Sequence, residues 1–151
     1  MKKPHIFLDS SVLIAGVLSP TGAAHALLDL GEHDYIYLMV SEYVIVESER
    51  SILKKSPRNI PILRDSIRRA NLNIIRDPSQ KENDDNLYLI SDPNDVPILL
   101  SAMKAKVDFL ATHNRKHFLD DPKVVELSGL QIGTPGDALA WVRENLAGEK
   151  Q

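Results

Sequence analysis

Apolar residues in this chain fall into short runs separated by stretches of helical period. His5-Ile-Phe-Leu-Asp9 places three apolar residues ahead of an acid, the pattern of a strand buried on both faces. Ala23 to Leu30 reads as a helix stopped at Gly31, and Tyr35 to Val40 as a second buried strand. Ser41 occupies an N-cap position, and good helix formers follow from Glu42 to Lys55 until Pro57 ends the run. Residues 58–70 carry Ile60, Ile62, Leu63 and Ile67 among basic positions, as an amphipathic helix does, and Leu72 to Ile75 supplies a third, shorter strand. Residues 76–86 are polar and turn-rich, a loop or a short surface helix rather than a linker between domains. Asp92-Pro93 then opens a helix, with Asp92 as N-cap, Pro93 at the first helical position and Asp95 placed as in a capping box; it runs to about Lys106. Val107 to Ala111 and Leu130 to Ile132 give a fourth and a fifth strand, and Thr134-Pro135 starts the last helix.

Strands alternating with helices imply a parallel sheet, because parallel neighbours need crossovers and helices supply them. The expected fold is a three-layer α/β/α sandwich around about five parallel strands. Ligands of such sheets gather where strands end, so Asp9 has two readings: a site residue, or the cap of the helix that begins at Val12, for which Ser10 and Ser11 compete.

Length and composition narrow the picture. At 151 residues and 43% hydrophobic content, residues 1–151 are expected to form one domain with one core. The absence of cysteine removes disulfides and thiolate metal sites, and with no signal-peptide pattern and no run near the ~18 apolar residues of a membrane span, the cytoplasm is the expected compartment and no membrane is expected as a partner. The net charge is −3, yet Arg50 to Arg69 holds seven basic residues and a single acid, Asp65. That segment, with Arg50, Lys54, Arg64 and Arg68, is either a polyanion-binding face or a pair of solvated helix faces.

The polar residues at strand ends point to chemistry. Asp9 follows the first strand, Glu47 lies in the second turn after the second strand, Asn114 follows the fourth, and Asp95 sits in the first turns of the helix before it. Glu49 is the rival to Glu47, but it shares a stripe with Ile45, Ile52 and Leu53. Neighbouring carboxylates raise one another's pKa unless a cation or a proton intervenes, and an oxygen-only ligand set selects Mg²⁺ or Mn²⁺ over Zn²⁺. Such ions activate water and stabilise a phosphodiester's transition state. Asp92 is a cap or a further ligand, and Ser10, Ser11 and Thr112 offer hydroxyls to the site or to helix caps. His113 and His117 flank Asn114 four residues apart; with Arg115 and Lys116 they are better placed to touch phosphate than to bind zinc.

Four segments, in order, resemble the PIN-domain family of small α/β/α nucleases, which includes the toxins of many toxin-antitoxin pairs. They are Ile-Phe-Leu-Asp9-Ser-Ser-Val-Leu-Ile-Ala, Ser41-Glu-Tyr-Val-Ile-Val-Glu47, Asp92-Pro-Asn-Asp95-Val-Pro-Ile-Leu-Leu-Ser-Ala, and Phe109-Leu-Ala-Thr112-His-Asn114-Arg-Lys-His-Phe118. The resemblance implies a five-stranded parallel sheet and acids at its carboxyl end. It also implies Mg²⁺ or Mn²⁺ on Asp9, Glu47 and Asp95 with Asn114 completing the set, cleavage of RNA, an antitoxin partner and a homodimer. Two departures stand out: Ser11 where the family has Asn, and Asn114 where it has Asp. Losing one negative charge weakens a hard-cation site. The chain is therefore expected to be a metal-dependent ribonuclease with reduced activity, or, in the alternative, a catalytically impaired PIN-like module that binds RNA or protein.

Overall fold

The structure is a computed structural model and describes residues 3–149. Five parallel strands, β1 (His5–Leu8), β2 (Tyr37–Ser41), β3 (Asn73–Ile75), β4 (Phe109–Ala111) and β5 (Gln131–Gly133), form one sheet in the order β3-β2-β1-β4-β5. Ile6 pairs with Leu38 on one side and with Phe109 on the other, so β1 is central. Ile6, Phe7 and Leu8 are fully buried, as an apolar run covered on both faces requires.

Helices α1 (Ser10–Leu18), α2 (Ala23–Glu32), α3 (Glu42–Lys55), α4 (Ile60–Arg69) and α8 (Pro135–Glu149) pack together on one face. On the other lie α5 (Gln80–Asp85), α6 (Val96–Lys104) and α7 (Pro122–Ser128). Right-handed crossovers account for the split: the chain steps from β1 outward through β2 to β3, returns to β4, and then steps outward the opposite way to β5. Among the described residues no single helix is long and apolar enough to cross a membrane.

Three local expectations change. Gly31 does not stop its helix, which continues to Glu32; it serves packing instead, since a Cβ there would lie 2.6 Å from Leu38 and 2.7 Å from the Ala70 carbonyl oxygen. The helix expected from Asp92 begins only at Val96, after a 3₁₀ turn over Pro93–Asp95. No capping box joins Asp92 to Asp95: the Asp92 side chain accepts from the Asn94 N–H at 3.0 Å, which tightens that turn and leaves the Asp95 carboxylate free to point elsewhere. Finally, β4 is shorter than Val107–Ala111 because Lys106 takes a left-handed conformation (φ 55°) that turns the chain just before it. The turn-rich segment after β3 holds the short helix α5, closed by a capping box between Ser79 and Glu82. Helix α7 is not among the elements that the hydrophobic pattern predicts.

Candidate functional site

The order β3-β2-β1-β4-β5 leaves a crevice at the carboxyl ends of β1 and β4, whose onward connections run in opposite directions. Asp9 lies there, at the end of β1, and Thr112 to Asn114 lie at the end of β4. The two readings of Asp9 coincide. It is the N-cap of α1, accepting the Ser10 N–H at 2.7 Å, and it is buried in the crevice at 6% exposure. Its second carboxylate oxygen accepts the Thr112 hydroxyl at 2.7 Å and the Ser11 hydroxyl at 3.3 Å. Burial pushes the Asp9 carboxyl up from its ordinary value, the Thr112 and Ser10 hydrogen bonds pull it back, and the Glu47 charge pushes it further up.

Glu47 reaches the same point from α3. The Ser41 side chain caps that helix by accepting the Val44 N–H at 3.2 Å. The Asp77 carboxylate accepts the Tyr43 N–H at 2.9 Å, and Glu42 accepts the Asp77 N–H at 3.1 Å, so the β3–α5 connection clasps the start of α3. Tyr43, Glu47 and Arg50 share one face of the helix. The Ser10 hydroxyl donates to one Glu47 oxygen, and the Tyr43 hydroxyl donates to the other at 3.3 Å. Ser10 thereby links Glu47 to Asp9.

Asp95 enters from the turn before α6. The Asn114 amide faces its carboxylate at 3.5 Å, while the Asn114 side-chain oxygen accepts the His117 N–H at 3.1 Å and caps the turn Arg115–Leu119. Half-burial, and then the carboxylates of Asp92 and Asp9, lift the Asp95 carboxyl from 3.8 to about 6; His117 opposes them. Ligand atoms of Asp92, Asp95 and His117 lie within 4.8 Å of one another. The sequence sets His117 beside His113, whereas the fold sets it against Asp92, Nε2 to carboxylate at 3.7 Å.

Asp9, Glu47, Asp95, Asn114, Ser11, Thr112 and Asp92 therefore meet at one crevice, and exposed Arg115 and Lys116 follow directly after Asn114. Arg50 is beside the crevice, close enough to act on the Tyr43 hydroxyl. Lys54 is exposed on α3, one turn beyond Arg50, and Arg64 and Arg68 are exposed on α4, where Arg68 pairs with Asp65 at 2.5 Å. Sequence reasoning does not single out Tyr43, although its position four residues before Glu47 is the available signal.

The donor set suits a hard divalent cation. Asp9, Glu47 and Asp95 offer carboxylate oxygens only, and burial together with their mutual charges raises Asp9 and Asp95, a penalty that a cation between them removes. A pH prediction follows for the metal-free chain. The folded form holds the Asp95 proton up to about pH 6 while the unfolded form releases it near 3.8, so stability falls as pH rises through that window and the loss is complete above it. Allowing for the solvent around a half-buried group, Asp95→Asn should be about 1 kcal/mol more stable than the parent at pH 7.5 and no different at pH 3.5. Urea unfolding in chelator at the two pH values checks this.

Comparison with known proteins agrees with this geometry. The sequence matches the PIN domain over residues 5–116. No curated protein matches it. Among solved structures the fold is similar to PAE2754 from Pyrobaculum aerophilum, with TM-score 0.64 and 15% identity over 94% of this chain and 91% of that one. It is also similar to VapBC2 from Rickettsia felis, solved bound to a DNA fragment from their promoter, with TM-score 0.61 and 22% identity over 85% of this chain and 96% of that one.

Proposed function

This chain belongs to the PIN-domain family, and from that premise we propose that it is a Mg²⁺- or Mn²⁺-dependent endoribonuclease acting as one PIN-like domain in the cytoplasm. The observation that carries the reading is the convergence of Asp9, Glu47 and Asp95 with Asn114 at the crevice between β1 and β4. Asp9, Glu47 and Asp95 would hold the ion. Bound there, a divalent cation supplies the charge that makes water a competent nucleophile and offsets charge building on the phosphodiester.

The protein's own part is to fix the oxygens. Donors from Ser10, Ser11 and Thr112 set the Asp9 carboxylate in one orientation, and Ser10 and Tyr43 hold Glu47 toward it. Arg115 and Lys116 flank the crevice as cations for neighbouring phosphates, with Arg50 on the α3 side. The basic surface of Lys54, Arg64 and Arg68 extends the path of the RNA. The likeness to VapBC2 supports a toxin role, in which an antitoxin covers the crevice, and a homodimer belongs to the same reading. The alternative, an impaired module that binds without cutting, is favoured by Asn114, which leaves three carboxylates where the family expects four, and by Ser11, which replaces the family's Asn.

Incubation of the purified chain with single-stranded RNA should give cleavage that requires Mg²⁺ or Mn²⁺ and stops in chelator; binding without cleavage selects the alternative. For the basic surface, Arg64→Glu with Arg68→Glu should weaken RNA binding several-fold at low salt. The pair should also make the fall of log affinity with log salt shallower by about 0.7 for each phosphate of the single strand that the protein no longer neutralises. An unchanged slope makes that surface a solvated helix face.

A further inference from the structure

A groove of about 270 Å³ opens beside the acid cluster, between the start of α3, helix α5 and the turn before α6. Tyr43 belongs to both: its ring lines the groove and its hydroxyl holds Glu47. Apolar surface comes from the Tyr43 ring with Leu87, Pro93 and Pro97, and polar groups from Gln80, Asn83, Asp84 and Asn94. Among the described residues no lysine or arginine lines it, so it is not built for phosphate. We infer that this groove receives the nucleobase adjoining the scissile phosphate, stacked on Tyr43, and that it favours bases bearing an exocyclic amino group.

The preference comes from the groove's edge. The Gln80 amide gives one of its two N–H donors to an Asp84 oxygen at 2.9 Å, which leaves the second Asp84 oxygen and the Gln80 carbonyl as acceptors. The Asn83 side-chain oxygen, buried without a hydrogen-bond partner among the described residues, is a third. Adenine, cytosine and guanine carry exocyclic amino donors that such an edge can take, whereas uracil has no amino group and meets it with a single N3–H between two carbonyl oxygens. Stacking supplies affinity without choosing a base, since every base has a flat face, and the acceptors supply the choice. Tyr43 thus acts twice, as a platform for the base and as a positioning residue for Glu47.

The inference rests on nucleic acid being the substrate, and its test separates the two. The probe is a single-stranded RNA pentanucleotide with 2-aminopurine beside the central linkage, bound to the full chain carrying Asp9→Asn. Its fluorescence should be quenched on binding. Adding Tyr43→Ala should abolish the quench and weaken binding about tenfold, the scale of one base stacked on an aromatic ring. Adding Tyr43→Phe should keep both. In the chain with Asp9 intact, Tyr43→Phe should lower kcat with KM and base preference unchanged, while Tyr43→Ala should flatten the preference at the cut. Exposed Asp84→Asn, which places no burden on folding, should shift that preference toward uracil. A quench on Tyr43 with no cleavage by the unmodified chain sinks the nuclease reading and leaves the groove assignment standing. Cleavage whose pattern ignores both Tyr43→Ala and Asp84→Asn, or a probe that is never quenched, overturns the assignment and leaves the groove to a polypeptide or to solvent.

Discussion

Asp9→Asn should lower RNA cleavage by about 10³-fold or more while changing the free energy of unfolding by less than about 1 kcal/mol. The loss of activity follows from position: Asp9 is the carboxylate at the floor of the crevice, charge-coupled to both Glu47 and Asp95. The small change in stability is a balance of two larger effects. The neutral amide removes a buried charge that the fold already disfavours, as the raised Asp9 carboxyl indicates. Against this, each oxygen of Asp9 accepts a hydrogen bond, from Ser10 on one side and from Thr112 and Ser11 on the other. An amide nitrogen in place of either oxygen meets a donor, at a cost of about 1–3 kcal/mol for a buried mismatch. Thr112 cannot easily turn its proton away, because its oxygen already accepts the Asn114 N–H at 3.0 Å. Cleavage by the variant at the parental rate would reduce Asp9 to the helix cap that it also is. A variant destabilised by several kcal/mol would mean that the hydrogen bonds outweigh the relief of charge.

What the sequence made legible were the strand ends. Apolar runs at 5–8 and 109–111 and a capping serine at 41 are local signals, and local signals placed Asp9, Glu47 and Asn114 correctly along the chain. What it could not supply were pairings across long separations. Thr112 to Asp9 spans 103 residues and Ser10 to Glu47 spans 37, and neither pairing leaves a periodic trace. Asp92 and Asp95 illustrate the limit at short range. Asp-Pro-x-Asp has the spacing of a capping box, but with prolines at 93 and 97 the chain enters α6 through a 3₁₀ turn, which spends the Asp92 side chain on Asn94 and turns Asp95 toward Asn114. The basic segment divides for a tertiary reason as well: Arg50 shares the face of Tyr43 and Glu47, while Arg69 is drawn to Glu32 on α2, a pairing across 37 residues that sequence alone does not match, and Arg68 is held locally, by Asp65 three residues before it on α4.

Asn114→Asp should tighten Mg²⁺ or Mn²⁺ binding about tenfold and cost the metal-free chain about 1 kcal/mol at pH 7.5. The side-chain oxygen of Asn114 caps the following turn by accepting the His117 N–H, and aspartate keeps that bond. The atom that changes is the amide nitrogen, which stands 3.5 Å from an Asp95 oxygen. A carboxylate oxygen in its place sets two acids in contact, pushes the Asp95 carboxyl above its present value of about 6 and destabilises the site until a cation enters. The same repulsion that lowers metal-free stability becomes metal affinity, so calorimetric titration and unfolding in chelator should move in opposite directions. Added metal should raise the variant's unfolding midpoint by more than it raises the parent's. If cleavage rises with affinity, the missing fourth carboxylate is what limits this chain as a nuclease. If affinity rises without cleavage, the limitation lies with Ser11 or with the path of the RNA, and the binding module is the better reading. If neither affinity nor metal-free stability changes, position 114 does not act on Asp95, and the four-residue cluster loses the member on which its charge balance depends.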